Sequence, residues 1–125
     1  MTTKTFKGKT ALILGGTSGI GKATAELLLQ RGANVYVAGK SEFSVCPALQ
    51  ALRGLGTVTG HQVDLTNQPD VMSLIEKFSK KADPVDSLVN AASIFGPRPF
   101  LDYKPEEYDA YLDLNRGFFF ITQAV

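Results

Sequence analysis

The sequence predicts an α/β fold, in which a doubly wound parallel sheet carries helices on both faces. Four short apolar runs alternate along the chain with segments of helical periodicity. The first run ends in a glycine-rich turn that precedes the first helix. Strands that alternate with helices pair in parallel through right-handed crossovers. We therefore expect the strand order 3-2-1-4, with a ligand crevice between strands 1 and 4, where the order reverses.

The individual elements follow from periodicity and from helix boundary signals. The strands are predicted over residues 10–14, 34–38, 57–63 and 87–90. The predicted helical faces are Ile20, Ala23, Thr24, Leu27 and Leu28; residues 44–53; Val71, Leu74, Ile75 and Phe78; and Tyr108, Tyr111, Leu112, Asn115 and Phe119. Gly32 is expected to end the first helix and Asn67 to cap the third. Pro105 opens the last helix, and Pro47 is tolerated only in the first turn of the second.

Length and composition restrict the class of protein. The 125 residues indicate one domain, and a net charge of +1 gives no basis for a nucleic-acid-binding surface. No apolar run reaches the ~20 residues of a membrane span, and the polar start has no apolar segment behind it that would make a secretory signal. The single cysteine, Cys46, fits a reducing cytoplasm. No spacing of histidines, cysteines or carboxylates indicates a metal site.

The turn after the first strand has the spacing G-x-x-x-G-x-G over residues 15–21. Gly15 allows a sharp turn, Gly19 lets the backbone approach a pyrophosphate, and Gly21 lets the helix pack close to the sheet. The helix N-terminus directs free N–H groups at the phosphates. A flexible turn without a ligand is the alternative, but the position between a strand and an amphipathic helix favours a dinucleotide. The residues predicted to bind it here are Gly15, Thr17, Ser18, Gly19, Ile20 and Gly21.

Four segments resemble the short-chain dehydrogenase/reductase family in their order and spacing. They are the loop at 13–21, the turn Asp64-Leu65-Thr66, the Asn-Ala-Ala-Ser segment at 90–93, and Asn115 in the last helix. The resemblance implies a Rossmann-type fold and hydride transfer between a nicotinamide and a small-molecule carbonyl or alcohol. It also implies three sets of contacts: Asp64 and Leu65 with adenine, Asn90, Ala91 and Ala92 with ribose, and Asn115 with a water of the catalytic proton relay.

Asn115 is also singled out by its predicted position on the apolar face of the last helix. A buried amide must find hydrogen-bond partners or costs ~1–3 kcal/mol. The sequence departs from the family at three other positions. Leu14 replaces a usual Thr whose hydroxyl ties the loop to the segment after strand 4, and Ala91 and Ser93 replace the usual Asn and Gly.

The end of the second strand selects between NADP(H) and NAD(H). An NAD-selective site places a carboxylate there to bind the adenosine ribose. Here the strand ends in Gly39, Lys40 and Ser41, and the Lys40 ammonium would attract a 2′-phosphate. We therefore expect NADP(H). A small loop shift that brought the Glu42 carboxylate to the ribose would instead favour NAD(H).

The family's acid–base residues, a Ser and a Tyr followed four residues later by a Lys, are expected beyond the end of this chain. The one Tyr-x-x-x-Lys present, Tyr36 to Lys40, lies along strand 2, where residues four apart are ~13 Å apart. We expect residues 1–125 to be an NADP(H)-binding domain truncated before the catalytic Ser, Tyr and Lys, inactive alone and homo-oligomeric in its full-length form. A non-catalytic nucleotide-binding or dimerisation module is the alternative.

Overall fold

The computed structural model describes residues 5–80 and 84–125. Within this part of the chain the strands are β1 (Thr10–Leu14), β2 (Asn34–Gly39), β3 (Val58–Gln62) and β4 (Ser87–Asn90). The α-helices are α1 (Gly19–Gln30), α2 (Glu42–Leu52), α3 (Gln68–Ser79) and α4 (Pro105–Ala124). The strands form one parallel sheet in the order β3-β2-β1-β4. The predicted fold class and strand order are confirmed.

Side chains of the sheet alternate between its two faces, as the pleat of a strand requires. Leu12 and Leu14 of β1 belong to a core cluster that includes residues of α3 and α4. Ile13 of β1, with Val35 and Val37 of β2, belongs to a second cluster that includes residues of α1 and α2. Both faces are therefore covered by helices, and the carboxyl ends of the parallel strands meet at one edge.

The predicted apolar face of α1 was wrong except at Leu28, which is partly buried and packs against the core. The helix buries Gly21, Ala25 and Leu29, whereas Ile20 is 83% exposed. Gly21 explains this rotation, because a Cβ on it would collide with the carbonyl oxygen of Gly15. Gly21 lets this side of α1 approach the preceding loop. The close backbone contact therefore sets the rotation of the helix, and the spacing of its larger apolar residues does not.

The predicted apolar face of α4 was also wrong. The helix buries Gly117 and Ile121, whereas Leu112 is 50% exposed and Asn115 is exposed, not buried. A Cβ on Gly117 would collide with the carbonyl oxygen of Leu65, so this glycine again marks the line of closest approach. Tyr108 and Phe119, also assigned to the core face, are 62% and 60% exposed.

The start of α2 differs from the prediction. The carbonyl of Ser41 accepts hydrogen bonds from the N–H groups of Ser44 (3.1 Å) and Val45 (3.0 Å), so the helix begins at Glu42. Pro47 consequently lies in the second turn, where it lacks the N–H of the usual helical bond. The expectation that Pro47 occupies the first turn was wrong because the helix starts earlier than residue 44.

The other helix boundaries match their signals. Asn67 caps α3, with its Oδ1 accepting the N–H of Asp70 at 3.1 Å. Pro105 begins α4, and the Glu107 carboxylate accepts the N–H of Lys104 at 2.9 Å. In the described ranges no helix combines the length and apolar character needed to span a membrane.

Candidate nucleotide-binding cleft

A cleft of about 650 Å³ opens at the edge where the carboxyl ends of the strands meet. The segments that follow β1, β2, β3 and β4 form its walls, together with one residue of α4. The predicted cofactor residues that line it are Gly15, Thr17, Ser18, Gly19, Ile20, Gly39, Lys40, Ser41, Asp64, Leu65, Ala91 and Ala92. Gly21, Asn90 and Asn115 lie outside this lining.

Two glycines of the loop after β1 differ in what surrounds them. Gly15 leaves β1 with a φ of +77°, and a Cβ on it would stand 2.6 Å from the backbone nitrogen of Ala92. Gly19 also has a positive φ, +53°, but apart from its own chain neighbours and helix backbone no heavy atom of the described residues lies within 4 Å of the position a Cβ would take. Packing therefore requires a glycine at position 15, whereas Gly19 leaves open space at the surface of the cleft because it has no side chain.

The first turn of α1 opens into the cleft. Ser18 is the N-cap residue, its backbone is extended, and its side chain makes no capping hydrogen bond within the described residues. The first N–H groups of an α-helix lack intrahelical acceptors and carry a partial positive charge. Because Ser18, Gly19 and Ile20 line the cleft, this end of α1 is placed to bind an anion.

Backbone contacts hold the glycine loop against the segment after β4. The N–H of Ala91 donates to the carbonyl of Leu14 at 2.8 Å, so the ladder continues past the end of β4 without the hydroxyl that Leu14 lacks. Asn90 folds back on its own turn, with its Oδ1 accepting the N–H of Ala92 at 3.2 Å. Asn90 therefore shapes the wall that Ala91 and Ala92 form, although it does not line the cleft itself.

The end of β2 presents a cation to the cleft. A Cβ on Gly39 would stand 2.6 Å from Cγ2 of Thr17, so the strand end and the glycine loop are in close contact. Lys40 follows with an exposed side chain, and Ser41 is the N-cap residue of α2. Glu42 is exposed and lies outside the cleft lining, so its carboxylate is not presented to the cleft in this conformation.

Asp64 is held in place at the end of β3. Its Oδ1 accepts hydrogen bonds from the N–H (3.0 Å) and hydroxyl (2.7 Å) of Thr66, and its own N–H donates to Asp70 at 2.9 Å. Partial burial raises the pKa of Asp64, but the Thr66 hydrogen bonds and the charge of Lys40 outweigh it, so the pKa lies below its ordinary value. A charged carboxylate and an ammonium group thus act on each other across this side of the cleft.

Several lining residues were not among the predicted site residues: Ala38, Ser44, Val63, Thr66, Ser93, Ile94 and Leu114. Ser44 lies one turn after Ser41, and its hydroxyl donates to the Ser41 carbonyl at 2.8 Å. Leu114 belongs to a helical face with Gly117, Phe118 and Ile121. This i, i+3, i+4, i+7 spacing was visible in the sequence.

The Tyr36 ring packs within the protein, away from the cleft lining. It stacks on His61 with ring centroids 5.9 Å apart and meets the edge of Phe78 at 5.2 Å. The same ring packs against the cluster that includes α3 residues. This environment agrees with the rejection of Tyr36 and Lys40 as a catalytic pair.

Comparison with known proteins places this geometry in a family. The family model for short chain dehydrogenases matches residues 9–125. The chain belongs to the short-chain dehydrogenase family. Proteins of this family bind nicotinamide cofactors.

Two curated relatives and one solved structure illustrate the similarity. An uncharacterized oxidoreductase of Bacillus subtilis is 40% identical over 110 residues, which are 88% of this chain and 41% of the relative. A 3-oxoacyl-[acyl-carrier-protein] reductase of Thermotoga maritima is 35% identical over 122 residues, 96% of this chain and 50% of the relative. A short chain dehydrogenase from Mycobacterium smegmatis superposes with a TM-score of 0.84 at 31% identity, covering 98% of this chain and 52% of that one. The chain thus spans about half the length of these relatives.

Proposed function

We propose that this chain is the NADP(H)-binding part of an oxidoreductase that transfers a hydride between the nicotinamide and a carbonyl or alcohol group of a small molecule. The observation that carries the proposal is the cleft, in which an open glycine wall, the start of α1 and the Lys40 ammonium face one space. The relatives named as an oxidoreductase and a 3-oxoacyl reductase support it.

The pyrophosphate is assigned to the glycine loop and the start of α1. The open space beside Gly19 allows a phosphate oxygen to come as close as backbone contact permits, which a side chain would prevent. The hydroxyls of Thr17 and Ser18 and the first N–H groups of α1 supply hydrogen-bond donors there. Gly21 takes part indirectly, by letting α1 approach Gly15.

The 2′-phosphate is assigned to Lys40. Its ammonium is near enough to the cleft to lower the pKa of Asp64, and Ser41 and Ser44 place hydroxyls on the same wall. A carboxylate at this position would repel the phosphate, but Glu42 lies outside the lining. Lysine is a point charge without the planar fork of arginine, so we expect preference for NADP(H) over NAD(H) without strict exclusion.

The adenine and ribose are assigned to the walls after β3 and β4. Within the described residues, both hydrogen bonds to the Asp64 carboxylate end on Oδ1, which leaves Oδ2 for the adenine amino group. Leu65 lines the same wall but is only 7% exposed, so it offers the ring a small apolar surface. Ala91 and Ala92, held by the Asn90 turn, form the ribose wall.

In this proposal the residues of this chain bind and orient the dinucleotide. A bound nicotinamide would supply or accept the hydride. An acid–base set of the kind that the family uses would transfer the proton. The only Tyr-x-x-x-Lys in the sequence has its tyrosine ring packed against α3, so the proposal assigns no proton transfer to it.

We place the protein in the cytoplasm, consistent with its one cysteine. We also propose that the whole protein pairs through α4, which exposes Tyr108, Leu112 and Phe119.

Titration with reduced dinucleotides tests the proposal directly. The chain has no tryptophan, so the emission of bound NADPH or NADH is recorded without tryptophan fluorescence. We expect NADPH to bind more tightly than NADH, and Lys40→Ala to weaken NADPH binding about tenfold, the equivalent of about 1.4 kcal/mol, while leaving NADH binding unchanged. Lys40→Arg should keep or increase the preference.

Lys7→Ala is the matched control, because it removes the same charge from an exposed residue ahead of β1, at the opposite end of the strand from the cleft. It should leave both affinities unchanged. Equal affinity for the two dinucleotides, or equal weakening by Lys40→Ala and Lys7→Ala, would remove the assignment of Lys40. If neither NADPH nor NADH binds, the proposed function of the cleft is wrong.

A further inference from the structure

Gly39, the last residue of β2, has no room for a side chain. A Cβ on it would stand 2.6 Å from Cγ2 and 2.9 Å from Oγ1 of Thr17, and 3.0 Å from Oγ of Ser44. The φ of Gly39 is not among the positive values, so its backbone conformation is open to other residues and contact alone excludes a side chain. Gly39, Thr17 and Ser44 all line the cleft, so this contact lies inside the candidate site.

Thr17 cannot vacate this space by rotating its side chain. Two of the three substituents on its Cβ, the methyl and the hydroxyl, face Gly39. The side chain has three staggered rotamers, and in each of them at least one heavy atom takes one of these two places. The contact with Oγ of Ser44 is looser and is relieved by rotation about one side-chain bond. Thr17 is therefore the residue that excludes a side chain from position 39.

Hydrogen bonds fix the backbone on both sides of this contact. The N–H groups of Gly15 and Gly16 both donate to the Ala38 carbonyl, at 2.9 and 3.3 Å. These bonds tie the glycine loop to β2 one residue before its end. On the β3 side, the Gly39 carbonyl accepts the N–H of Val63 at 2.7 Å. The loop and the strand end therefore cannot move apart without loss of these hydrogen bonds.

We propose that Thr17 is a specificity-determining residue, because its side chain keeps the end of β2 free of the carboxylate that an NAD-selective site places there. This inference rests on the proposed function of the cleft. The preference for NADP(H) then depends on two features: Lys40, which attracts the 2′-phosphate, and the contact of Thr17 with Gly39, which excludes a repelling carboxylate. A change of residue 39 alone cannot transfer the preference to NAD(H), because the new side chain displaces the loop that holds the pyrophosphate.

A double-mutant cycle on residues 17 and 39 tests the proposal. NADPH and NADH are titrated by their fluorescence into the parent chain, Gly39→Asp, Thr17→Ala and the double variant Thr17→Ala/Gly39→Asp. We expect Gly39→Asp to weaken binding of both dinucleotides by about tenfold or more, because the glycine loop is displaced. The double variant should bind NADH about tenfold more tightly than Gly39→Asp does, and should prefer NADH. Thr17→Ala alone should keep the preference for NADPH.

Gly39→Ala is the matched control, because it adds a methyl group without the charge. Urea unfolding in the absence of dinucleotide should show a lower midpoint for Gly39→Ala than for the parent chain. The shift should be smaller when Gly39→Ala is made in the Thr17→Ala background, which has room for the methyl. If the two substitutions are additive, Thr17 does not exclude a side chain from position 39 and the proposal is wrong.

The titrations separate failure of this proposal from failure of the proposed function. If the parent prefers NADPH and Gly39→Asp alone comes to prefer NADH, position 39 accepts a carboxylate, so the role of Thr17 is wrong and the cleft still binds. The same conclusion follows if the double variant binds NADH no better than Gly39→Asp does. If the parent binds neither dinucleotide, the proposed function and the selective role of Thr17 both fail, whatever the unfolding midpoints show.

Discussion

Helices α1 and α4 lie on opposite faces of the sheet, yet each packs through a glycine against a backbone carbonyl. In α1, Gly21 meets the carbonyl of Gly15 in the loop after β1. In α4, Gly117 meets the carbonyl of Leu65 in the turn after β3. In both helices the apolar face inferred from the larger residues was wrong.

The shared error has one physical cause. Periodicity arguments give weight to large apolar side chains, but the line of closest approach between a helix and a loop is set by the residue with no side chain. Gly21 and Gly117 fix where every other residue of their helices points. The two contacts differ in their surroundings, because Gly15 is itself confined by Ala92, whereas Leu65 follows the edge strand β3.

The largest effect is expected from Gly21→Ala. The added methyl would collide with the Gly15 carbonyl and approach Cβ of Ala91 at 3.1 Å, and Gly15 is itself so close to the backbone of Ala92 that a Cβ would not fit there. We expect the free energy of unfolding to fall by about 3 kcal/mol, at the upper end of the cost of overpacking, despite alanine's better helix propensity. Urea unfolding followed by circular dichroism measures the loss, and NADPH affinity should fall with it because the glycine loop moves.

Gly54→Ala is the matched control for this substitution. Beyond the neighbouring backbone, no heavy atom in the described part of the chain lies within 4 Å of a Cβ on Gly54, and the φ of Gly54 is not among the positive values. Its unfolding free energy should stay within about 0.5 kcal/mol of the parent. Equal stability of Gly21→Ala and Gly54→Ala would mean that the α1 contact does not set the rotation of the helix.

Gly117→Ala is expected to have a smaller effect of the same kind. The methyl would meet the Leu65 carbonyl and approach Cγ2 of Val71, but it would stand 3.2 Å from the Leu65 carbonyl carbon, whereas the methyl of Gly21→Ala would stand 2.8 Å from the Gly15 carbonyl carbon. We expect a loss of about 1–2 kcal/mol in the same unfolding assay. A loss larger than that of Gly21→Ala would reverse the ranking and show that the turn at Leu65 is the more rigid of the two.

The sequence predicted the sheet, its order and the position of the cleft, because these follow from alternation and from the parallel crossover rule. It also predicted most of the residues that line the cleft, since the residues that follow parallel strands share one edge. It did not predict the rotation of α1 or α4, which depends on contacts between glycines and distant carbonyls. Leu114 could have been found from its spacing with Gly117 and Ile121, had Gly117 been counted as part of the buried face.

The smallest effect is expected at the end of the sheet opposite the cleft, where the Asp86 side chain adds to the backbone hydrogen bond that its N–H donates to the Thr10 carbonyl at 2.9 Å. The Asp86 carboxylate, just ahead of β4, accepts the N–H of Thr10 at 2.8 Å and lies 3.5 Å from the Lys9 ammonium. The Thr10 hydrogen bond is the main cause that lowers the pKa of Asp86, and the charge of Lys9 adds to it against a smaller desolvation effect. A folded-state pKa below the unfolded value of about 4 stabilises the fold above that pH, and the stabilisation is lost as the pH falls through the folded pKa.

Asp86→Asn should therefore lower stability slightly at pH 7 and flatten the loss of stability below about pH 4. The effect is small because the carboxylate is open to solvent, which screens its interactions. Urea unfolding across this pH range measures it, with Asp109→Asn, an exposed carboxylate of α4, as the control for loss of one charge. If both variants lose stability in the same way as the pH falls, the Asp86 carboxylate contributes no more to stability than any single negative charge. If Asp86→Asn lowers the free energy of unfolding as much as Gly117→Ala does, the side-chain bridge at Asp86 stabilises the fold as much as the close backbone contact at Gly117.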